Sequence, residues 1–115
     1  DMANAYKNSI YTTTGTGAET IYTVPSATVG IVKSLSIFNG VAGTTNLTIS
    51  ILDSSAGTTT FYAKNSSVAA DAKVEIFEGE ASTVLVLEEA DAIKVTSSGG
   101  AGVVCTLSVL QQDRA

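Results

Sequence analysis

The sequence predicts an all-β protein: an antiparallel β-sandwich of jelly-roll or immunoglobulin-like type, with eight to nine short strands and no substantial helix. Three observations carry that prediction. Apolar and polar residues alternate with period two along much of the chain, the pattern of half-buried strands. Gly and small polar residues interrupt the alternation at short intervals, as hairpin turns require. The chain also holds 16 Thr and 13 Ser among 115 residues, and β-branched Thr suits the half-exposed face of a pleated sheet.

Strands are expected at 8–14, 19–24 and 28–38, with the Gly15-x-Gly17 turn between the first two. The next spans 44–53, where Leu47, Ile49 and Ile51 alternate with Thr48 and Ser50. Asn39-Gly40 and Ala42-Gly43 precede it, and Asp53-Ser54-Ser55-Ala56-Gly57 follows it into a strand at 58–64. Residues 63–73 are the best helical candidate, but they lack an apolar stripe and read as a loop with one helical turn. Val74 and Ile76 then alternate with Lys73 and Glu75 in a strand at 72–78, closed by Glu78-Gly79-Glu80. The run at 83–87 is apolar on both faces, as a strand covered on both sides would be. Ile93 and Val95 mark a strand at 91–97, and Val103, Cys105, Leu107 and Val109 mark one at 102–111, beyond the Gly-rich turn 97–102. A parallel sheet would need crossover helices of ten or more residues, for which there is no room.

A chain of this length is one domain and buries a core without staples. Hydrophobic residues reach 44% and charged residues only 15%, which excludes a disordered acidic tail. Uncharged polar surface of this kind suits a protein that packs against neighbours. The net charge is −5, and Lys7, Lys33, Lys64, Lys73, Lys94 and Arg114 are scattered singly. Phosphate binding needs clustered Lys and Arg, so neither nucleic acid nor an anionic membrane is expected as a partner. No apolar run approaches a membrane span, and the first ten residues lack the apolar core of a signal peptide. Residues 1–9, anchored only by Met2, Ala3, Ala5 and Tyr6, are expected to be a flexible N-terminal arm, and 10–112 the β-sandwich domain.

Catalytic chemistry finds little to work with, and no catalytic, cofactor-binding or metal-binding residue is assigned. Histidine is absent, which removes the commonest general base at neutral pH and the commonest zinc ligand. Cys105 lies in phase with Val103, Leu107 and Val109, as a buried thiol acting as a small hydrophobe would. Activating it as a nucleophile would need an adjacent base. Glu78, Glu80, Glu88, Glu89 and Asp91 form the densest acidic region, but their spacing matches no ordered calcium loop. Leu87 to Ile93 reads as a turn between two strands whose charges discourage stray strand pairing. Phe61 and Tyr62 are neighbours on a strand, so one ring must face outward, where it is a candidate partner contact. No Trp is present, which weighs against a carbohydrate-binding module.

One stretch is familiar. Tyr22-Thr23-Val24-Pro25, followed after five residues by Ile31-Val32-Lys33-Ser34-Leu35, resembles the Y-T-V-P-x5-I-V-K-S-I run of small virion structural proteins of tailed bacteriophages. Ala3-Asn4-Ala5-Tyr6-Lys7-Asn8 and Leu87-x-x-Ala90-Asp91-Ala92-Ile93-Lys94-Val95-Thr96 are in keeping with the same group, over about residues 3 to 110. The usual Gly of L-x-x-G-D is Ala90 here, which leaves another turn form open at that point. The resemblance implies a non-enzymatic virion component assembled in the host cytoplasm. Its leading form is a capsid decoration (cement) protein, a homotrimer that binds and stabilises the shell of the major capsid protein. A tail, neck or fibre-base component is the alternative, and a receptor- or carbohydrate-binding module a third. The candidate partner contacts are Tyr6, Lys7 and Asn8 of the arm, together with Phe61 and Tyr62.

Overall fold

The computed structural model describes residues 4–77 and 85–114. Nine strands run in order: β1 (Asn4–Thr12), β2 (Ala18–Thr23), β3 (Thr28–Asn39), β4 (Thr45–Asp53), β5 (Thr58–Val68), β6 (Lys73–Phe77), β7 (Leu85–Leu87), β8 (Ala92–Ser97) and β9 (Val103–Asp113). Each falls on an expected strand with its ends moved, and no helix occurs among the described residues. One sheet has the order β1-β9-β3-β6, with β7 also on β3, and the other β2-β8-β4-β5. Every pairing is antiparallel. β6 pairs with residues 35–38 of β3 and β7 with residues 30–32, so the two behave as one interrupted strand. Counted that way, eight strands pass between two four-stranded sheets in the jelly-roll form of the sandwich.

The core lies between the sheets. Val32, Leu35 and Ile37 of β3 and Val103, Cys105, Leu107 and Val109 of β9 meet Leu47 and Ile49 of β4 and Ile93 and Val95 of β8, all essentially fully buried. Along β9 strict alternation produces this face. Along β3 it does not, because Val32 and Leu35 are an odd number of residues apart. A register shift between Val32 and Ser34 inserts the extra residue that lets both point inward.

The loops are held by hydroxyl and amide side chains. Thr13 Oγ1 donates to the Gly100 carbonyl at 2.7 Å and accepts from the Val103 N–H at 3.0 Å. Thr45 Oγ1 lies 3.0 Å from Ser97 Oγ and accepts from the Gly99 N–H at 2.8 Å. Buried Asn39 donates to the carbonyls of Gly43 and Val68 and accepts from the Val41 N–H, tying the β3–β4 loop to the end of β5. The Thr and Ser content is therefore more than uncharged surface. Thr13, Thr28, Thr45, Ser50 and Ser97 are buried, and every buried side-chain N or O among the described residues has a partner.

Three expectations need correction, and one point left open is resolved. Residues 4–9, placed in an arm outside the sandwich, belong to β1 and pair with β9 from Asn4 opposite Gln112 onward; residues 1–3 lie outside the described residues. Sparse apolar content misled there, because an edge strand is held by backbone hydrogen bonds with one face open to water. Residues 65–68, read as loop beyond the expected strand at 58–64, continue β5. Register shifts against β4 and a left-handed Asn65 (φ 55°) absorb the irregularity that obscured the strand. The run at 83–87 is not covered on both sides over its described part, since Val86 is 57% exposed between half-buried Leu85 and buried Leu87. The turn at Ala90 also keeps the left-handed form a Gly would favour, with φ 70°.

Candidate functional site

Several exposed apolar side chains of the described residues sit on the outer face and the edge of the β1-β9-β3-β6 sheet. Cross-strand register places Tyr6 opposite Leu110, Leu110 opposite Ile31, and Ile31 opposite Val86. Four strands thus contribute one apolar residue each to a single row across the outer face. Tyr6 is 79% exposed at one end of the row and Val86 at the other. Beside it lies a row of Asn8, Ser108 and Ser34, and beyond that Ile10, Thr106 and Ser36, with Glu75 hydrogen-bonded to the Ser36 hydroxyl at 2.9 Å. Tyr6, Lys7, Asn8, Ser108 and Val109 line an open depression of about 270 Å³ along the β1–β9 seam.

Phe61 and Tyr62 lie elsewhere, on β5, the edge strand of the other sheet. The sequence required one outward ring; both are exposed, at 61% and 47%. The reason is that residues 53–62 of the β4–β5 hairpin are all exposed, leaving neither face of β5 covered at that point. The Lys64 ammonium stands 4.7 Å above the centre of the Phe61 ring, a cation–π contact that orders the ring without hiding it. β1 packs beside β2, with Ser9 Oγ donating to the Ile21 carbonyl, whereas β5 closes the far edge. The structure therefore does not unite the five candidate contacts: Tyr6, Lys7 and Asn8 form one surface, and Phe61 and Tyr62 another. Sequence reading missed Ile10, Ile31, Val86 and Leu110. Their signal was present as apolar residues on both parities of a strand, at Ile31-Val32, Leu85-Val86-Leu87 and Val109-Leu110.

Several polar groups elsewhere tie down turns. Asp91, in the acidic region, is buried; Oδ1 accepts from the Ser54 N–H and Oδ2 from the Glu88 N–H, both at 2.9 Å. Glu89 pairs with Arg114 at 3.2 Å on the surface, and Glu78 and Glu80 lie outside the described residues. No group of three or more acidic or Cys side chains among the described residues is placed to hold a metal ion. Glu19 ties down the β1–β2 turn by accepting from the Tyr11 hydroxyl and from the Thr14 and Gly15 N–H groups. Those bonds, led by the one from Tyr11, hold its carboxyl below the ordinary value and raise the Tyr11 phenol. The Tyr22 phenol is pushed up by burial, against a hydrogen bond from Gln111. Burial lifts the Cys105 thiol to about 12, with a smaller push from Glu19. Such a group is a packed hydrophobe and not a nucleophile.

The sequence matches no family profile and no curated protein. The fold has solved counterparts. A Bacillus endospore appendage protein, of a family described as disulfide-linked pili, superposes with a TM-score of 0.57 at 11% identity, over 99% of this chain and 89% of its own. The protein of an infectious bursal virus-derived T=1 particle gives 0.56 at 14% identity, over 99% of this chain but 31% of its own. The protein of a virus-like particle of the freshwater prawn extra small virus gives 0.50 at 13% identity, over 97% and 80%. This chain thus spans about a third of the bursal virus chain and most of the other two. At these identities the likeness is one of fold: an all-β jelly-roll sandwich shared with proteins of viral particles and with the appendage protein.

Proposed function

We propose that the chain is a non-enzymatic structural protein of a virion, and within that class a capsid decoration protein that binds the major capsid protein shell and stabilises it. The row Tyr6–Leu110–Ile31–Val86 carries the reading. Uncharged apolar side chains aligned across an outer sheet face gain nothing in a free monomer and gain by being covered. The row spans only about 14 Å from Tyr6 to Val86, across four strands at about 4.8 Å spacing. That is too little for a tight one-to-one complex, which buries about 800 Å² per partner. A shell presenting many copies of one site suits such a weak contact, because tethered contacts act together. Phe61 and Tyr62, at the opposite edge, give the same subunit a second contact. The bursal virus and prawn virus proteins, which form particles, use a fold of the same kind.

The test is co-sedimentation of the purified protein with expanded shells that lack it, counting copies bound per shell. Saturable binding at hundreds of copies is the expected result. No binding to shells, with the protein found instead at a handful of copies on tails, would make it a tail or neck part.

A second reading, a filament subunit, is favoured by one observation: the appendage protein is matched over nearly its whole length. Cys105 is buried and free, so a filament of this chain would form without the disulfide links described for those pili. Electron microscopy of concentrated protein separates the two, since only this reading predicts long filaments without a shell.

A further inference from the structure

We propose that β1 is a self-pairing edge, through which two copies of this chain join about a two-fold axis to make one continuous sheet. Among the described residues β1 is the last strand of its sheet and pairs only with β9. The Thr13 N–H donates to the Val103 carbonyl at 2.9 Å and the Gly102 N–H to the Thr13 carbonyl at 3.1 Å. That phase turns the backbone of odd-numbered β1 residues toward β9. The N–H and C=O groups of Asn4, Tyr6, Asn8, Ile10 and Thr12 therefore point to the open edge.

Edge strands of soluble proteins are normally short, charged, bulged or broken by proline. β1 has nine residues, no proline, one charged side chain and an unbroken register with β9. It also carries Tyr6 and, at 66% exposure, Ile10, more exposed than any other large hydrophobic among the described residues.

The strand is complementary to itself, which selects a second copy as the occupant. Antiparallel pairing about Asn8 uses all nine residues. It sets Tyr6 of each copy against Ile10 of the other, Asn8 against Asn8, Asn4 against Thr12, and Lys7 against Ser9. Aromatic and β-branched residues directly opposite one another are favourable cross-strand pairs. A register centred on Lys7 would oppose the two ammonium groups, and one centred on Ser9 would part Tyr6 from Ile10. Charge and apolar match thus select the same register. It forms about ten backbone hydrogen bonds along roughly 30 Å of strand. The apolar row also continues through Tyr6 onto the partner's Ile10. The contact is isologous and closed, giving a dimer where the sequence resemblance implies a trimer.

The test uses the full chain in sedimentation equilibrium over a range of concentrations, with Ile10→Lys and two cysteine variants. A reversible dimer is expected, with its dissociation constant raised at least tenfold by Ile10→Lys and circular dichroism unchanged. Mild oxidation should link Asn8→Cys into a covalent dimer, because paired residues at the axis lie about 5.5 Å apart and a disulfide spans that distance. Lys7→Cys, displaced from the axis, should stay unlinked, and buried Cys105 does not compete. A monomer at every concentration overturns the proposal. So does a trimer indifferent to Ile10→Lys, or equal cross-linking at positions 7 and 8.

Discussion

The two faces of the β1-β9-β3-β6 sheet are made by the same strands and differ only in which alternate residues they present. The inner face carries Val32, Leu35, Ile37, Cys105, Leu107 and Val109, all closed off from solvent. The outer face carries Tyr6, Ile31, Val86 and Leu110, equally apolar in kind and partly or largely open. Hydrophobicity on the inner face is answered within the chain. On the outer face the described chain leaves it partly or largely open, and the proposed shell contact is what would cover it. Five substitutions test that comparison and the turns that frame it.

The largest effect belongs to the inner face. Leu107→Ala leaves a cavity between the sheets and should lower unfolding stability by about 3 kcal/mol, read as a fall in the denaturant midpoint. A loss below about 1 kcal/mol would mean that the inner face is not the packed one. Next is Asp91→Ala, which removes the acceptor of the Glu88 N–H at the β7–β8 turn and of the Ser54 N–H just after β4 and should cost about 2 kcal/mol. The β7–β8 turn also holds Ala90 at φ 70°, a left-handed conformation that costs an L side chain and suits Gly. Ala90→Gly should therefore raise stability by about 1 kcal/mol, with no change in the spectrum of the folded state.

The smallest effect is electrostatic and confined to acid. Glu19 has a lowered carboxyl pKa in the fold. Its stabilisation is complete above the unfolded value and is lost as pH falls through the folded one. Wild type should therefore lose more stability than Glu19→Gln as pH drops from about 5 to 3. Parallel acid limbs would show that the carboxylate does not hold the β1–β2 turn.

Most of the strand order was legible because period-two alternation survives in β4, β8 and β9. The jelly-roll topology was one of two sandwich types the pattern allowed, since alternation says which residues point together but not which strands become neighbours. The first half of β1 was hidden because an edge strand needs little apolar content of its own. The row Tyr6–Leu110–Ile31–Val86 was hidden for a related reason: its members lie far apart in sequence, and only cross-strand register aligns them. A bulge at Lys33 compounds this, switching the parity of β3 partway along. The five candidate contacts were legible one by one, as exposed aromatic or polar residues. Their division between two opposite edges was not, because it depends on which sheet each strand joins.

Val86→Lys tests most directly the separation between folding residues and contact residues. Its unfolding midpoint and its co-sedimentation with expanded shells are to be measured on one preparation. The prediction is a stability within about 0.5 kcal/mol of wild type and binding to shells reduced at least tenfold. Unchanged binding, or a loss of binding accounted for by unfolding, would contradict it.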